Sequence, residues 1–276
     1  MNVLGSILSD IYSFAIYYYF PIALAVFVFG CVYRILRMVF FWRRPMKAEP
    51  RRRGAGAVFI GLIKTFLDPI LFGLRYRKWD FVFGLLFLHL LGVIPLIFLL
   101  AHHVAFFAYL IPFYSIVWPF AIPLSATSSV LTVTAPIEPY SQMSFTFVNT
   151  VWGPLTIILN GDVLTVLALV GTLFKIGTKI YERFVKGLRN ARITDILVYA
   201  ILLEILITGY LAARHHPSTP VGTDIIVYRM LMGLHVLGAS TLLAILPFTK
   251  YWHMIFGYWY GKLHEWYDLR VRRGAV

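Results

Sequence analysis

The sequence predicts an all-α polytopic membrane helix bundle with about five transmembrane helices, its N-terminus outside and its C-terminus inside. Hydrophobic residues make up 60% of the chain and charged residues only 13%, whereas a soluble domain carries about 25% charged residues. Long apolar runs alternate with short basic segments along the whole sequence. A chain of 276 residues holds about five or six spans with their loops, so we expect one membrane domain over residues 1–276.

The first predicted span covers residues 11–41 and runs into a basic loop that contains proline. Residues 54–78 mix apolar side chains with Lys64, Asp68 and Pro69. That stretch is too interrupted to span, and it predicts an amphipathic segment in the membrane interface. The remaining predicted spans cover residues 81–110, 163–181, 196–213 and 225–248.

The connecting segments carry their own signals. Residues 112–161 contain several prolines and no clean apolar window of span length, which predicts an outer loop or lid with room for short membrane-parallel helices. Residues 160–162 predict a turn and a helix N-cap, and Thr194 or Asp195 is expected to cap the fourth span. Residues 254–276 form an aromatic and basic tail, predicted to be cytoplasmic.

The distribution of basic residues supports this topology. With the N-terminus outside, only Arg214 and Arg229 face outward, and the other 23 of the 25 lysines and arginines lie on the inner side. Such residues accumulate on the cytoplasmic side of membranes, where they meet anionic lipid. The net charge of +13 therefore indicates membrane lipid as the partner. Nucleic acid is not expected, because the chain has no basic soluble module with interleaved aromatic residues.

The single cysteine limits the chemistry that the chain can support. Cys31 lies within an apolar run and has no second thiol to pair with. A lone thiol excludes a disulfide framework, a four-cysteine iron–sulfur site and a C-x-x-C-H haem attachment. A metal centre built by this chain must therefore use histidine or carboxylate ligands. The N-terminus lacks the positive segment of a cleavable signal peptide, so the first span is expected to be retained.

Histidines are concentrated on the second and fifth predicted spans. His89 and His103 are 14 residues apart, and His235 and His253 are 18 residues apart. At about 100° per residue, each pair returns to one face of an α-helix. The two predicted spans run antiparallel, so His89 and His253 fall in the inner half of the membrane and the other two in the outer half.

Two histidine pairs at matched depths predict a cofactor site. The pairs are separated by roughly 20–27 Å along the helices, which matches two stacked b-type haems with bis-histidine ligation. A neutral imidazole is a normal axial haem ligand, and in lipid an unpaired polar ring carries a desolvation cost. We therefore expect His89, His103, His235 and His253 to bind the iron of two haems.

Alternatives remain open from the residues alone. His102 points about 140° away from His89 on an ideal helix, but Pro95 could bend the span and change the choice between His102 and His103. Intramembrane histidines also serve proton paths or helix packing. A proton-coupled transporter would favour internal repeats and broken helices, whereas a cofactor-free scaffold subunit would not need histidine pairs at whole-turn spacing.

Two stretches carry a resemblance to a known family. The fifth predicted span contains the pattern H-x17-H, from His235 to His253, and closes with PFTKYWH. The fourth span and its preceding loop read RNARITDILVYAILLEILITGYL. Both resemble the cytochrome b family of the respiratory nitrate reductase gamma subunit, which includes membrane subunits of heterodisulfide reductase and of the dissimilatory sulfite reductase-linked complex. The resemblance covers about residues 80–260.

The resemblance implies a membrane-anchoring electron-transfer subunit. It implies five spans, two b haems and quinol oxidation coupled to a peripheral iron–sulfur or molybdenum-type redox subunit, in the cytoplasmic membrane of a prokaryote. His235 and His103 would hold the outer haem, and His253 and His89 the inner one. In the family the two ligands on the second span lie closer together than His89 and His103 do here.

Other polar residues in the predicted spans are candidates for a function. Glu204 lies midway along the fourth span, where a carboxylate is costly and a functional role is the default hypothesis; a protonated acid bonded between helices is the alternative. Arg214 and Arg229 flank the outer end, where a haem propionate or a quinone carbonyl would need a donor. Four basic residues lie near the inner end, and each could either pair with a haem propionate or serve only as a charge that sets the topology: Lys175, Lys179, Arg183 and Lys250.

Overall fold

Five membrane-spanning helices form the framework of the protein. The computed structural model describes residues 10–42, 55–125, 159–188, 191–215, 225–249 and 251–252, and every regular element in them is helical. Five of these helices are long and apolar enough to cross a bilayer. In chain order the spans are Asp10–Arg37, Asp80–Leu99, Gly161–Val185, Ile193–Arg214 and Ile225–Phe248. The predicted all-α multi-pass membrane bundle is therefore confirmed.

The chain divides into two compact units. The first unit consists of Met1–Ala15 and Trp79–Gly238, and the second of Ile16–Lys78 and Ala239–Val276. The first unit thus contains the second, third and fourth spans together with the first half of the fifth. The expectation of one domain over residues 1–276 stays a prediction.

The core of the first unit lies where the third span packs against the second and fourth. Leu96, Ala168 and Leu206, one from each of these spans, are buried together. A Cβ atom on Gly171 of the third span would lie 2.9 Å from the Cβ of Leu88 on the second. The missing side chain lets the two backbones approach closely, as small residues commonly do between membrane helices.

The third span begins with the predicted cap. The side chain of Asn160 accepts the backbone N–H of Asp162 at 2.9 Å and of Val163 at 3.4 Å, which confirms the cap expected at residues 160–162. The carboxylate of Asp162 then pairs with Arg214 at the end of the fourth span, 2.8 Å away. The Arg214 guanidinium also lies 4.4 Å above the ring centre of Tyr210. The ion pair thus ties the start of the third span to the end of the fourth, and the cation–π contact holds the Arg214 side chain against its own helix.

The fourth span begins three residues before its predicted start at residue 196. Its first helical residue is Ile193 and Arg192 precedes the helix, so neither Thr194 nor Asp195 occupies the cap position predicted for it. Asp195 instead sits in the first turn, and its buried carboxylate accepts the backbone N–H of Arg192 at 3.2 Å. A carboxylate at the third helical position reaches back to the chain before the helix, which is one half of a capping box.

The second span differs most from the prediction. Residues Asp80–Val93 form a wide π-helix, Ile94–Leu99 continue as an α-helix, and a new helix begins at Ala101. Leu100 between them is extended, with φ −64° and ψ 140°. Pro95 contributes no N–H to the upstream helix. The prediction of one continuous span over residues 81–110 is therefore wrong. The sequence stays apolar across these residues, but the helix is interrupted at Leu100.

Side chains satisfy two of the carbonyl groups next to this break. The Nδ1 atom of His103 lies 2.9 Å from the carbonyl oxygen of Leu96, and the hydroxyl of Tyr114 donates to the carbonyl of Phe98 at 2.8 Å. Inside a bilayer no water replaces a lost main-chain bond. These two contacts therefore stabilise the interrupted helix end.

A small helical cap follows the break. The 3₁₀-helix Pro112–Val117 and the helix Trp118–Ser125 pack against helix Ala101–Leu110. Val104, Trp118 and Ala121 form the buried centre of this cap, which fits the short helices allowed for in the predicted outer loop. The rest of that loop, residues 126–158, lies outside the described residues.

The second unit joins the first span to the end of the fifth. The Tyr19 hydroxyl and the Thr241 hydroxyl are 2.9 Å apart. Arg34 donates from Nε to the carbonyl of Pro247 at 2.6 Å, where the fifth span ends in a short 3₁₀ turn. Gly30 lies against Pro247 so closely that a Cβ atom would come within 2.8 Å of the proline Cβ. Arg34 thus has a defined partner at the end of the fifth span.

The segment predicted to lie in the interface is helical. It forms the helix Ala55–Tyr76, which is not among the five spans. Its described charged residues Lys64, Asp68 and Arg75 lie within about 40° of one another on a helical wheel. Apolar side chains including Phe59 occupy other faces and are exposed. One charged stripe with exposed apolar side chains around the rest of the helix fits an interfacial position.

We expect the substitution Tyr114→Phe to destabilise the protein by about 1 kcal/mol, because the Phe98 carbonyl loses its side-chain donor. Tyr109→Phe is the matched control, since Tyr109 lies on the preceding helix and is 85% exposed. Both variants would be unfolded by heat in the same detergent. Equal melting temperatures for the two variants would show that the Tyr114 hydroxyl does not stabilise the break.

Candidate functional site

A cluster of histidines in the first unit is the candidate site. His103 from helix Ala101–Leu110 and His235 from the fifth span lie close enough to interact electrostatically. These two residues are separated by more than a hundred positions in the sequence, so only the packing of the spans brings them together. Sequence analysis assigned both to one haem, and the structure places them in the same cluster.

The hydrogen bond of His103 defines its tautomer. Its Nδ1 atom lies 2.9 Å from the Leu96 carbonyl oxygen. A carbonyl can only accept, so Nδ1 carries the hydrogen, and in the neutral ring the lone pair is on Nε2. Metal-binding histidines commonly show this arrangement, with one ring nitrogen bonded to a carbonyl and the other free to coordinate. His103 is thus oriented as an Nε2 ligand would be.

His235 shows the same arrangement on another span. Its Nδ1 atom lies 2.9 Å from the carbonyl oxygen of Ile205 on the fourth span. The bond crosses between two spans, so it also fixes the fifth span against the fourth. In the neutral ring Nε2 again carries the lone pair. Two imidazoles from different segments therefore present the same nitrogen as a potential ligand.

Two glycines form reciprocal notches between the fourth and fifth spans. A Cβ atom on Gly209 would lie 2.7 Å from Cε1 and 2.8 Å from Nδ1 of His235. On the other helix, a Cβ atom on Gly238 would collide with the carboxylate of Glu204. Each span thus inserts one polar side chain into the space left by a glycine of its neighbour. Neither glycine was predicted to matter from the sequence, although an isolated glycine within a helical pattern often marks close packing.

Glu204 is bonded within its own helix as well. The Thr208 hydroxyl, which is buried, donates to the Glu204 carbonyl at 2.7 Å, and it lies 3.3 Å from the Ile205 carbonyl and 3.5 Å from a Glu204 carboxylate oxygen. The Glu204 carboxyl group meets Gly238, which lies about one helical turn after His235 on the fifth span. Thr208, which sequence analysis did not single out, connects these two polar groups.

His102 belongs to the same cluster. Its ring centre is 4.1 Å from that of His103, with the two planes inclined by 54°. It interacts electrostatically with both His103 and His235, and its side chain is exposed. The helical-wheel argument that favoured His103 assumed one continuous α-helix, and the π-helix and the break at Leu100 remove that basis. The assignment of His103 as the ligand stays a prediction.

The second predicted pair is described only in part. The Nδ1 atom of His89 lies 2.6 Å from the Gly84 carbonyl, five residues earlier in the π-helix, so this ring has the same tautomer as the two above. Close by, Lys175 pairs with Asp80 at 3.1 Å. Its predicted partner His253 lies outside the described residues. The inner site therefore stays a prediction.

Three of the other predicted charges, Arg214, Arg229 and Lys179, have contacts within the protein. Arg214 pairs with Asp162, as described above, and the Arg229 guanidinium lies 5.9 Å from the ring centre of Tyr12. Lys179 pairs with Glu182 at 2.5 Å. Arg183 lies in the π-helical turn that ends the third span, and Lys250 lies outside the described residues. Roles for these cations at haem propionates or quinone stay predictions.

The imidazoles described above are donors of the type that ligates haem iron. The described residues contain no group of three or more His, Cys, Asp or Glu side chains arranged to hold a metal ion. A b-type haem brings four ring nitrogens of its own and needs only two axial ligands from the protein. Two imidazoles that keep Nδ1 on backbone carbonyls meet that need.

Comparisons with known proteins add no relative. No protein-family model, no curated protein and no solved structure matches this chain. The functional argument therefore rests on the geometry of the site itself.

We expect Gly238→Ala to destabilise the protein by roughly 1–3 kcal/mol, because a new methyl group would overpack the space that holds the Glu204 carboxylate. Truncation of Glu204 to alanine should remove most of that cost. A double-mutant cycle of Gly238→Ala and Glu204→Ala, read by thermal unfolding in detergent, measures the coupling. Strictly additive effects would show that the carboxylate does not occupy the Gly238 notch.

Proposed function

We propose that the protein is the membrane-anchoring dihaem cytochrome b subunit of a respiratory redox complex. His103 and His235 hold one haem, and His89 and His253 hold the other. The subunit transfers electrons between the quinone pool and a peripheral iron–sulfur or molybdenum-type subunit in the cytoplasmic membrane of a prokaryote. The observation that carries this proposal is the shared hydrogen bonding of the described histidines.

Three of the four proposed ligands are described, and each bonds Nδ1 to a main-chain carbonyl. The acceptors are the carbonyls of Gly84, Leu96 and Ile205, at 2.6 to 2.9 Å. In each neutral ring the lone pair is therefore on Nε2, the nitrogen that an axial ligand would present. In such a ligand the second nitrogen is commonly held by a hydrogen bond while the first coordinates iron.

The chain supplies orientation and a low-dielectric environment. When bound, the haem supplies the one-electron chemistry. Leu96, whose carbonyl bonds His103, is buried together with Ala168 and Leu206, which supports an apolar environment on that side of the proposed outer site. The short cap of residues 112–125 packs on the helix that carries His103, which supports a quinone site beneath it. The basic loops of the predicted inner face favour an acidic surface on the peripheral partner.

An absorption spectrum tests the proposal directly. Protein purified from a haem-competent host should show a b-type α-band when reduced by dithionite, with two haems per chain by pyridine haemochrome. His103→Ala or His235→Ala should each remove one haem, because an axial ligand is lost. His102→Ala is the matched control and should keep two.

Two other results have defined meanings. A full haem content in His103→Ala together with loss of one haem in His102→Ala would move the ligand by one residue and leave the function unchanged. Absence of any haem band in the unmodified protein would contradict the proposed function.

A proton-coupled transporter is the second candidate, favoured by two observations. The apolar run that begins with the second span is broken at Leu100, directly after that span ends, and broken helices are common in transporters. Glu204, Thr208 and His235 also place three proton-exchanging or hydrogen-bonding groups along one interface between spans. A carboxylate within a span is a functional candidate by default.

Proton flux distinguishes this second candidate. In liposomes with an internal pH-sensitive dye, Glu204→Gln should abolish proton movement if the carboxyl group carries protons. Glu182→Gln is the matched control, since Glu182 pairs with Lys179 where the third span ends. A transporter would show flux in haem-free protein, whereas equal and negligible flux in all three proteins would contradict transport.

A further inference from the structure

We propose that Gly209 and Thr208 are positioning residues for His235. Together with the carbonyl of Ile205 they form a socket on the fourth span, here named the imidazole socket, that fixes the ring orientation and the tautomer of His235. This inference rests on the proposed function, because the socket leaves Nε2 of His235 available as the haem ligand.

Gly209 makes the socket possible. A Cβ atom there would approach Cε1 and Nδ1 of His235 to 2.7 and 2.8 Å, well inside ordinary contact distance. The ring could avoid this only by swinging away from the fourth span. It would then lose its hydrogen bond to the Ile205 carbonyl, 2.9 Å from Nδ1. The absence of a side chain at position 209 is therefore a requirement for the observed orientation.

The Ile205 carbonyl can serve the ring without breaking the helix. In a regular α-helix this oxygen accepts the N–H four residues later, which belongs to Gly209. A carbonyl oxygen has two lone pairs, so it can accept the imidazole as well. The acceptor for His235 is thus a backbone group whose position is set by the helix.

Thr208 modulates the same carbonyl. Its hydroxyl has one hydrogen, which donates chiefly to the Glu204 carbonyl at 2.7 Å, with the Ile205 carbonyl at 3.3 Å as a second acceptor. Such back-bonding by threonine tilts the carbonyls of the preceding turn and bends the helix. Removal of the hydroxyl should let the Ile205 carbonyl accept the Nδ1–H more strongly. A stronger bond makes the imidazole a more basic ligand.

Haem-free protein labelled with ¹⁵N-histidine tests the socket by NMR, since the two tautomers of a neutral imidazole have distinct nitrogen shifts. The unmodified protein should show His235 protonated at Nδ1, with His235→Gln used for assignment. Gly209→Ala should change that signal. The matched control is Gly177→Ala on the third span, where a Cβ atom would meet no other atom within 4 Å, and it should leave the signal unchanged.

The haem-loaded protein gives a second readout. Thr208→Val should shift the midpoint potential of the haem held by His235 to a more negative value, because a more basic ligand favours oxidised iron. Thr178→Val is the matched control, since Thr178 makes the same bond to the carbonyl four residues earlier, 2.8 Å away, with no histidine on it. Thr208→Ser retains the hydroxyl and should restore the original potential.

The possible failures are separable. An identical His235 nitrogen signal in Gly209→Ala and Gly177→Ala would overturn the socket, whatever the protein binds. Equal potentials in Thr208→Val and Thr178→Val would overturn the role of Thr208. If the unmodified protein binds no haem, the proposed function fails, and the haem-free NMR comparison still decides whether the socket positions His235.

Discussion

Hydrogen bonds from imidazole Nδ1 atoms to backbone carbonyls connect the fold to the proposed function. A polar ring in a membrane span needs a hydrogen-bond partner. His103 bonds the Leu96 carbonyl, which lies next to the helix break and needs a donor. His235 bonds the Ile205 carbonyl on the neighbouring span, which can accept a second hydrogen bond. The same bonds that stabilise the backbone also determine which ring nitrogen can coordinate iron.

Glycine makes these bonds possible between spans. Association of helices in lipid gains little from the hydrophobic effect, so close packing and polar contacts hold the helices together. Gly209 and Gly238 let His235 and Glu204 enter the opposite helix. The proposed ligand and the half-buried carboxyl group of Glu204 therefore lie on one interface, one helical turn apart. A change in the packing of this interface would act on both groups together.

After the break at Leu100, the helix that carries His103 and the cap that follows it pack together as one unit. Val104, Trp118 and Ala121 bury the cap against the helix that carries His103, and Tyr114 bonds the cap to the carbonyl of Phe98. The cap and the proposed outer haem site are thus mechanically linked.

The sequence by itself determined the class of fold and the residue types of the site. Apolar runs of span length require helices, because only helices satisfy their own backbone bonds in lipid, and five such helices are present. A cap for the third span within residues 160–162 was also predictable, since capping is a local interaction, and the structure assigns it to Asn160. The predicted inward C-terminus likewise rests on the sequence, through its basic residues.

Tertiary structure alone decided the details of the site. The break at Leu100 was invisible in an apolar run, since hydropathy does not report backbone dihedral angles. The pairing of His235 with Ile205 and Gly209 depends on how two spans pack, which no local pattern encodes. Helical phase also failed as a guide on the second span, because a π-helix advances differently from an α-helix. Local rules therefore predicted the spans and so identified the polar residues that lie within them. Packing between the spans decided which of these polar residues contact one another.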